Sequence, residues 1–159
     1  MSAKKPKRAG DGEVRISPPE LRHFRFEKHD VASGEVPNAA PPVVFGLGLN
    51  RISESTLGVE LSLEIREFAV CSVFVSYRAV FELVGPLTRA ERKERLQVLA
   101  TQLGPGTLYP FLREVVVSAA AKALLPPLVP PVVLFKEVFA AEQVQIPEPP
   151  EPASVREHA

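Results

Sequence analysis

Apolar and polar residues alternate along the first half of the chain with the period of a β-strand. The clearest case is TLGVELSLEIRE, in which one face is entirely apolar: Val59, Leu61, Leu63 and Ile65. This alternation predicts a strand with one buried and one solvated face, because successive side chains point to opposite sides. Similar patterns occupy residues 24–26, 45–49 and 71–83. The four segments predict an antiparallel sheet, since parallel neighbours would need crossover helices, and no helical pattern lies between them.

The second half of the chain changes to the period of helices. Thr88 and Glu91 have the spacing of a capping box, and leucines then recur on one stripe. Gly104 follows this stripe directly. We therefore predict a short amphipathic helix that begins after Thr88 and ends at Gly104.

A long apolar helix is predicted over residues 107–125. Thr107 is a suitable N-cap, and Pro110 is compatible with the first turn, where a helix has no internal donor to lose. Pro126 is expected to end this helix. The following LPPLVPP predicts a stiff, extended connector, and VVLFKEVFAAEQV, residues 132–144, predicts a last helix.

The order of these elements predicts an α+β fold, with a four-stranded antiparallel sheet and helices packed on one face. A chain of 159 residues is expected to form one domain. Residues 1–19 are basic and residues 145–159 are rich in proline and glutamate. Neither segment has enough apolar surface to offset its ordering entropy, so we predict two disordered tails around a domain of residues 20–144.

Charge and hydropathy argue against several kinds of partner. The chain has 19 basic and 19 acidic residues, and its basic N-terminal segment contains no aromatic residue for base stacking. We predict no nucleic-acid partner. The most apolar stretch, residues 115–134, is interrupted by Lys122 and four prolines, so no membrane span is predicted. A single cysteine and the lack of an apolar leader in the sequence favour a cytoplasmic location.

Catalytic and cofactor motifs are not recognisable in the sequence. The stretch FGLGLNR has two of the three glycines of a dinucleotide-binding loop, but no helical pattern follows it. The three histidines and one cysteine have no metal-ligand spacing, and Cys71 belongs to the apolar face of a strand. We therefore predict no metal, no cofactor and no enzymatic activity.

The segment TLYPFLREVVVSAAAKALLPPLVPPVVLFKEVF resembles the C-terminal part of the SecB family of protein-export chaperones. The long helix of that family opens with the pattern Leu-aromatic-Pro-aromatic-x-Arg-Glu. The matching residues are Leu108, Tyr109, Pro110, Phe111, Arg113 and Glu114. The family then has an apolar residue, a proline, a proline-containing connector and a Phe-x-x-Leu-Phe helix. The residues in those places are Leu125, Pro126, Phe135, Val138 and Phe139.

The resemblance implies a SecB-like fold, assembly as a homotetramer that is a dimer of dimers, and an ATP-independent holdase activity. Apolar grooves of such a holdase bind unfolded preproteins and keep them competent for translocation. The client-binding residues that the resemblance implies are Phe45, Leu47, Leu49, Phe135, Val138 and Phe139. Those that it implies for contacts between protomers are Tyr109, Phe111, Leu112, Val115, Val116, Ala119 and Ala123. Each of them could equally belong to the core, because alternating strands and helical stripes are typical of buried faces.

Two departures from the family affect the partners that the resemblance implies. The family's outer sheet face carries acidic residues that contact the SecA translocation motor, but Phe74 stands at the matching place and Lys136 replaces an acidic residue of the last helix. Glu60 and Glu64 could form an alternative acidic patch. SecB-like chaperones also hold antitoxins of toxin–antitoxin systems, so a dedicated antitoxin chaperone is the alternative. A third possibility is a small binding or structural protein with a closed core.

Overall fold

The sheet contains five antiparallel strands in the computed structural model, which describes residues 12–30, 41–68 and 70–151. The strands are β1 (Glu13–Ile16), β2 (Glu20–Lys28), β3 (Val44–Arg51), β4 (Thr56–Phe68) and β5 (Cys71–Val84). The strand β5 pairs with β4 on one side and with both β1 and β2 on the other, and β3 pairs with β4 at the opposite edge. The sheet is therefore four strands wide, as predicted.

One edge of the sheet is made of two short strands placed end to end. The strands β1 and β2 pair with successive parts of β5 and are separated by Ser17, Pro18 and Pro19. The Ser17 amide donates to the carbonyl of Val80 at 2.9 Å, and the Ser17 hydroxyl accepts from the Val80 amide at 2.8 Å. The prolines cannot continue this pairing, because they have no N–H group.

This edge corrects part of the prediction for residues 1–19, because Glu13–Ile16 is a strand and not a disordered tail. Residues 1–11 of the predicted tail lie outside the described residues, as do residues 152–159 of the C-terminal one and residues 31–40 of the predicted linker. Residues 145–151 form no helix or strand. Ile146 nevertheless packs against the core.

The core lies between the helices and one face of β4 and β5. The alternating apolar residues of β4 have no exposed surface, and Cys71, Val75 and Phe81 of β5 are equally buried. Burial raises the pKa of the Cys71 thiol, which is consistent with its interpretation as a small apolar residue. The helical side of the core consists of Leu96, Leu99, Leu108, Leu112, Val116 and Ala120.

Two of the predicted helices are joined into one continuous helical segment. Helix α1 (Arg89–Val98) begins with the predicted capping box of Thr88 and Glu91. A π-helical turn, Leu99–Leu103, then leads directly into α2 (Gly104–Lys122). Gly104 is thus not a helix end, and Thr107 is not an N-cap; its hydroxyl donates to the carbonyl of Leu103 at 2.7 Å.

The continuity of this segment has a local physical reason. The amide of Gly104 donates to the carbonyl of Leu99, which is five residues earlier, so the π-helical turn absorbs the residue that would otherwise end the helix. A Cβ atom on Gly104 would lie 2.7 Å from that carbonyl oxygen and 3.1 Å from Cγ1 of Val59. Gly104 therefore allows close contact between the helix and the sheet, a role that the sequence pattern did not indicate.

The chain after α2 is mostly extended. Leu124 adopts a left-handed conformation with φ of 57°, and the Leu125 amide donates to the carbonyl of Ala120 at 3.0 Å. The connector that follows leads to α3 (Phe135–Val138), which is a single turn. The prediction of a helix over residues 132–144 is therefore wrong, because Phe139 has extended backbone angles and ends the turn. An isolated turn gains few internal hydrogen bonds, and its position depends on tertiary contacts.

Replacing Gly104 with alanine is expected to destabilise the fold by about 1–3 kcal/mol, because the new methyl group overlaps the Leu99 carbonyl and Val59. Gly106 in the same helix is a matched control, since a Cβ atom there would meet nothing within 4 Å. Gly106→Ala should stabilise the fold by about 0.5–1 kcal/mol through helix propensity. Urea unfolding of both variants measures the difference, and equal stabilities would contradict the packing role of Gly104.

Candidate functional site

Four aromatic rings from three elements meet beside the edge strand β3. Phe45 of β3, Tyr109 of α2 and Phe135 of α3 contact one another in pairs, with ring centroids 5.3–5.6 Å apart and ring planes 76–79° apart. Phe139 stacks on Phe135 with centroids 5.9 Å apart. Edge-to-face pairs of this kind are favourable beyond the area that they bury. We call these four residues the aromatic cluster.

The aromatic cluster also holds the connector in place. The Tyr109 hydroxyl donates a hydrogen bond to the backbone carbonyl of Pro131. Burial raises the pKa of Tyr109, so its phenol stays protonated and remains a donor at neutral pH. The path of the proline-rich connector is therefore set by a side chain of α2 as well as by its prolines.

At the end of α2 and along the connector the chain exposes many apolar side chains. Leu124 is 89% exposed and Val132 is 87% exposed, and other apolar side chains between them and α3 are also exposed. We define the connector surface as Leu124, Val129, Val132, Leu134 and Val138. A set of exposed apolar side chains on one short segment is typical of a surface that contacts another molecule.

The neighbouring strand β3 adds a free backbone edge. Its residues pair with β4 on one side only within the described part of the chain. The N–H and C=O groups of the other side can accept an additional strand, because an edge strand presents unpaired backbone groups. The connector surface and this edge together could hold an extended polypeptide.

The six residues expected to bind clients fall into three groups. Phe45, Phe135 and Phe139 meet in the aromatic cluster, although Phe135 itself is buried. Leu47 and Leu49 lie farther along β3, half-buried, opposite Leu61 and Val59 of β4. Val138 is exposed and belongs to the connector surface.

Sequence reasoning missed the exposed residues of the connector, among them Leu124, Val132 and Leu134. Their signal was the presence of apolar side chains between prolines, where no helix can form to bury them. Tyr109 was expected to contact another protomer, whereas it contributes to the aromatic cluster.

The residues expected between protomers lie on two opposite sides of α2. Leu112 and Val116 have no exposed surface and pack on the sheet of their own chain, and Tyr109 is also buried, so these three are corrected to core positions. Phe111 is exposed, and Val115, Ala119 and Ala123 are half-buried. Phe111, Val115 and Ala119 border an open cavity of about 320 Å³ that Phe24 and Tyr77 of the sheet also line. We call five of the residues that line this cavity the outer helix face: Phe24, Tyr77, Phe111, Val115 and Ala119.

Known proteins resemble this chain in part of its sequence and in its fold. No family model matches the chain. Two curated relatives, both named protein-export protein SecB and found in the Florida and St. Maries strains of Anaplasma marginale, are 32% identical to it over 89 residues. That segment covers 56% of this chain and 49% of theirs, so the chain spans about half the length of the curated relatives it matches.

A solved structure supports the same assignment at the level of the fold. It is the SecB-like chaperone Rv1957 of Mycobacterium tuberculosis in complex with a ChAD peptide from the Rv1956 HigA1 antitoxin. The TM-score is 0.59 with 21% sequence identity, and the likeness covers 76% of this chain and 87% of that one. By sequence and by fold, the chain is SecB-like. The α+β fold predicted from the sequence is thereby confirmed.

The outer sheet face of this SecB-like chain is not an acidic patch. Glu60 accepts a hydrogen bond from Ser76 at 2.8 Å, and His23 lies 3.6 Å from the same carboxylate. Glu64 pairs with Arg66 at 2.9 Å, and the hydrogen bond from Arg66 lowers the pKa of Glu64. The two carboxylates that could replace the family's acidic residues therefore have partners within the chain.

Among residues 12–30, 41–68 and 70–151, no three histidine, cysteine, aspartate or glutamate side chains are grouped so that they could hold a metal ion. In the same ranges, no helix is long and apolar enough to cross a membrane.

Tyr109→Phe is expected to destabilise the fold by about 1 kcal/mol, because the Pro131 carbonyl loses its donor. Tyr77→Phe is the matched control, since the Tyr77 hydroxyl makes no hydrogen bond to the described part of the chain. Thermal unfolding compares the two variants, and limited proteolysis should detect a looser connector only in Tyr109→Phe. Equal behaviour of both would argue against the anchoring role of Tyr109.

Proposed function

We propose that this SecB-like chain is an ATP-independent holdase, which binds unfolded preproteins and keeps them competent for translocation. The proposal rests on the exposed apolar residues of the connector surface, together with the aromatic cluster and the free edge of β3. Binding there breaks no covalent bond, so the function requires neither catalytic residues nor a nucleotide. The names of the two curated relatives support the same function.

The affinity for clients would come mainly from apolar burial. Removal of apolar surface from water contributes about 25 cal/mol per Å² and has no directional requirement, so many sequences can be bound. Backbone hydrogen bonds to the edge of β3 would add affinity that does not depend on the client's side chains. An extended client can make both the apolar contacts and the backbone hydrogen bonds, because its side chains point alternately to two sides.

Leu124 supports the assignment of the connector to client binding. Its left-handed backbone conformation costs a residue with a Cβ atom roughly 1–2 kcal/mol relative to the ordinary helical one. Its side chain is almost fully exposed and gains nothing from the core in return. A glycine would meet the backbone requirement without this cost. The apolar side chain is explained if it contacts a client.

The homotetramer forms part of the same proposal, as does a cytoplasmic location. The outer helix face leaves Phe111 39% exposed and Phe24 46% exposed beside an open cavity, and a second copy of the chain would cover both. The residues proposed for this contact are Phe111, Val115, Ala119 and Ala123. The small alanines allow helices of two protomers to approach closely.

A dedicated antitoxin chaperone is the second candidate. The structural relative from M. tuberculosis was solved with an antitoxin peptide, and the likeness extends over 87% of that chain. Contact with a SecA motor is not favoured by Phe74 or by the paired state of Glu60 and Glu64. This candidate predicts one tight partner, whereas a general holdase predicts a broad set of precursors among captured proteins.

The purified protein is expected to delay aggregation of a chemically unfolded substrate without ATP, as measured by light scattering. Leu124→Gly combined with Val132→Ser should weaken the effect by about tenfold or more, because burial of one Leu or Val side chain contributes about 1.5–3 kcal/mol. Ile52→Ser is the control, since Ile52 is exposed but lies at the turn after β3. An absence of protection at excess chaperone would favour the small structural protein instead.

Phe111→Ala is expected to weaken assembly before it affects client binding. The exposed part of this ring would be buried between protomers, and its loss would cost roughly 1–3 kcal/mol at each contact. Native mass spectrometry over a dilution series should show smaller species for this variant. Val117→Ala is a control, because Val117 has similar exposure on α2 but does not border the cavity. A monomeric wild-type protein at micromolar concentration would contradict the proposed assembly.

A further inference from the structure

A second recess lies between α1, the turn after β3 and the C-terminal segment. Its volume is about 690 Å³, and it shares no residue with the connector surface. Four cationic side chains line it: Arg51, Arg89, Arg92 and Lys93. We call it the basic cleft. Three of these residues come from α1 at spacings of three and four, which places them on one side of the helix.

The positive charge of the basic cleft is only partly balanced. The Glu54 carboxylate lies 3.7 Å from the guanidinium of Arg51 and 3.9 Å from that of Arg92, which are long ion pairs. Arg89 and Lys93 have no carboxylate within 4 Å in the described part of the chain. Nε of Arg92 is buried and has no hydrogen-bond partner among the described residues. The N-terminal end of α1 adds a partial positive charge.

The remaining lining is apolar and extended. Leu96 is buried at the base of the cleft, and Ile146 is half-buried beside it. The C-terminal segment, residues 144–149, forms one wall, and the Gln97 side chain holds it by donating to the Val144 carbonyl at 3.1 Å. This wall is an extended, proline-containing stretch, and its Glu148 lines the cleft without a cation within 4 Å in the described part of the chain. The chain thus already places an acidic extended segment in this cleft.

We infer that the basic cleft binds an acidic, extended segment of a partner polypeptide. Carboxylates of the segment contact Arg89, Arg92 and Lys93, and its apolar side chains contact Ile146. Arginine suits this role, because its planar donors match the two oxygens of a carboxylate. The lining contains no aromatic residue on which a base could stack, so the chemistry favours a polypeptide over a single-stranded nucleic acid.

The inference goes beyond the proposed holdase, whose client surface is apolar. The two sites would differ in their response to ionic strength, because salt weakens binding through exposed charges and leaves apolar burial intact. A loss of acidic-peptide binding with retained suppression of aggregation would therefore separate the cleft from the connector surface.

The test is fluorescence anisotropy of a labelled peptide of alternating glutamate and valine with the full-length protein. The peptide should bind at low salt, and a peptide with lysine in place of glutamate should not. Arg89→Gln combined with Arg92→Gln should weaken binding about fivefold or more, since each exposed charge pair contributes a modest amount. Arg22→Gln combined with Arg25→Gln is the matched control, because it removes the same charge from exposed positions on β2.

Glu148→Gln should change the affinity for the acidic peptide in the opposite direction to the arginine variants. Loss of this carboxylate from the wall should strengthen binding of the acidic peptide about twofold, an effect that damage to the fold would not produce. Circular dichroism establishes that each variant is folded, and Arg89→Gln alone is the milder alternative if the double variant is not. The inference is overturned if the acidic peptide does not bind, or if the β2 control weakens it equally. It is also overturned if an RNA oligonucleotide of equal charge binds as tightly with the same response to the variants.

Discussion

The width of one helix governs the distribution of apolar surface in this protein. A helix with its side chains is about 10 Å across, and neighbouring strands are about 4.8 Å apart, so a single helix covers about two strands. Helix α2 lies over β4 and β5, which are accordingly the strands whose core-facing side chains are fully buried. The two edges of the sheet carry apolar residues on the same face but remain only half covered. One edge exposes Phe24 and the other leaves Phe45 to the aromatic cluster.

The local patterns of the sequence were sufficient where local chemistry determines the structure. The alternation along β4 and the capping box at Thr88 both led to the correct elements, because each is decided by side chains within a few residues. Gly104 was predicted to end a helix, and this was wrong. Its actual role is to allow close contact with Val59, which is distant in sequence. The last helix was too long in the prediction, because the backbone of Phe139 is extended and ends the helix after a single turn. The strand β1 was missed because it is only four residues long and is followed by Ser17, Pro18 and Pro19.

For the candidate site, the family resemblance named residues on β3, α2 and α3 but did not distinguish their buried from their exposed side chains. Leu112 and Tyr109 lie on the same helix as Phe111, and a helix that is apolar almost all round gives no periodic signal to separate core from surface. The exposed connector was the larger omission, because extended proline-rich segments have no periodicity to analyse. The path of this connector depends on the hydrogen bond from Tyr109 to the Pro131 carbonyl, which is seen only in the folded structure.

The interruption of one sheet edge by Pro18 and Pro19 affects how copies of this chain can meet. A sheet with two long free edges could add further copies at both ends and grow into an open-ended fibre. Here the edge formed by β1 and β2 is broken by the prolines and by a bulge between Leu21 and His23, so only β3 offers an uninterrupted strand. Polymerisation through the sheet would need two compatible edges. The chain can therefore keep one edge open for other polypeptides without becoming a template for its own aggregation.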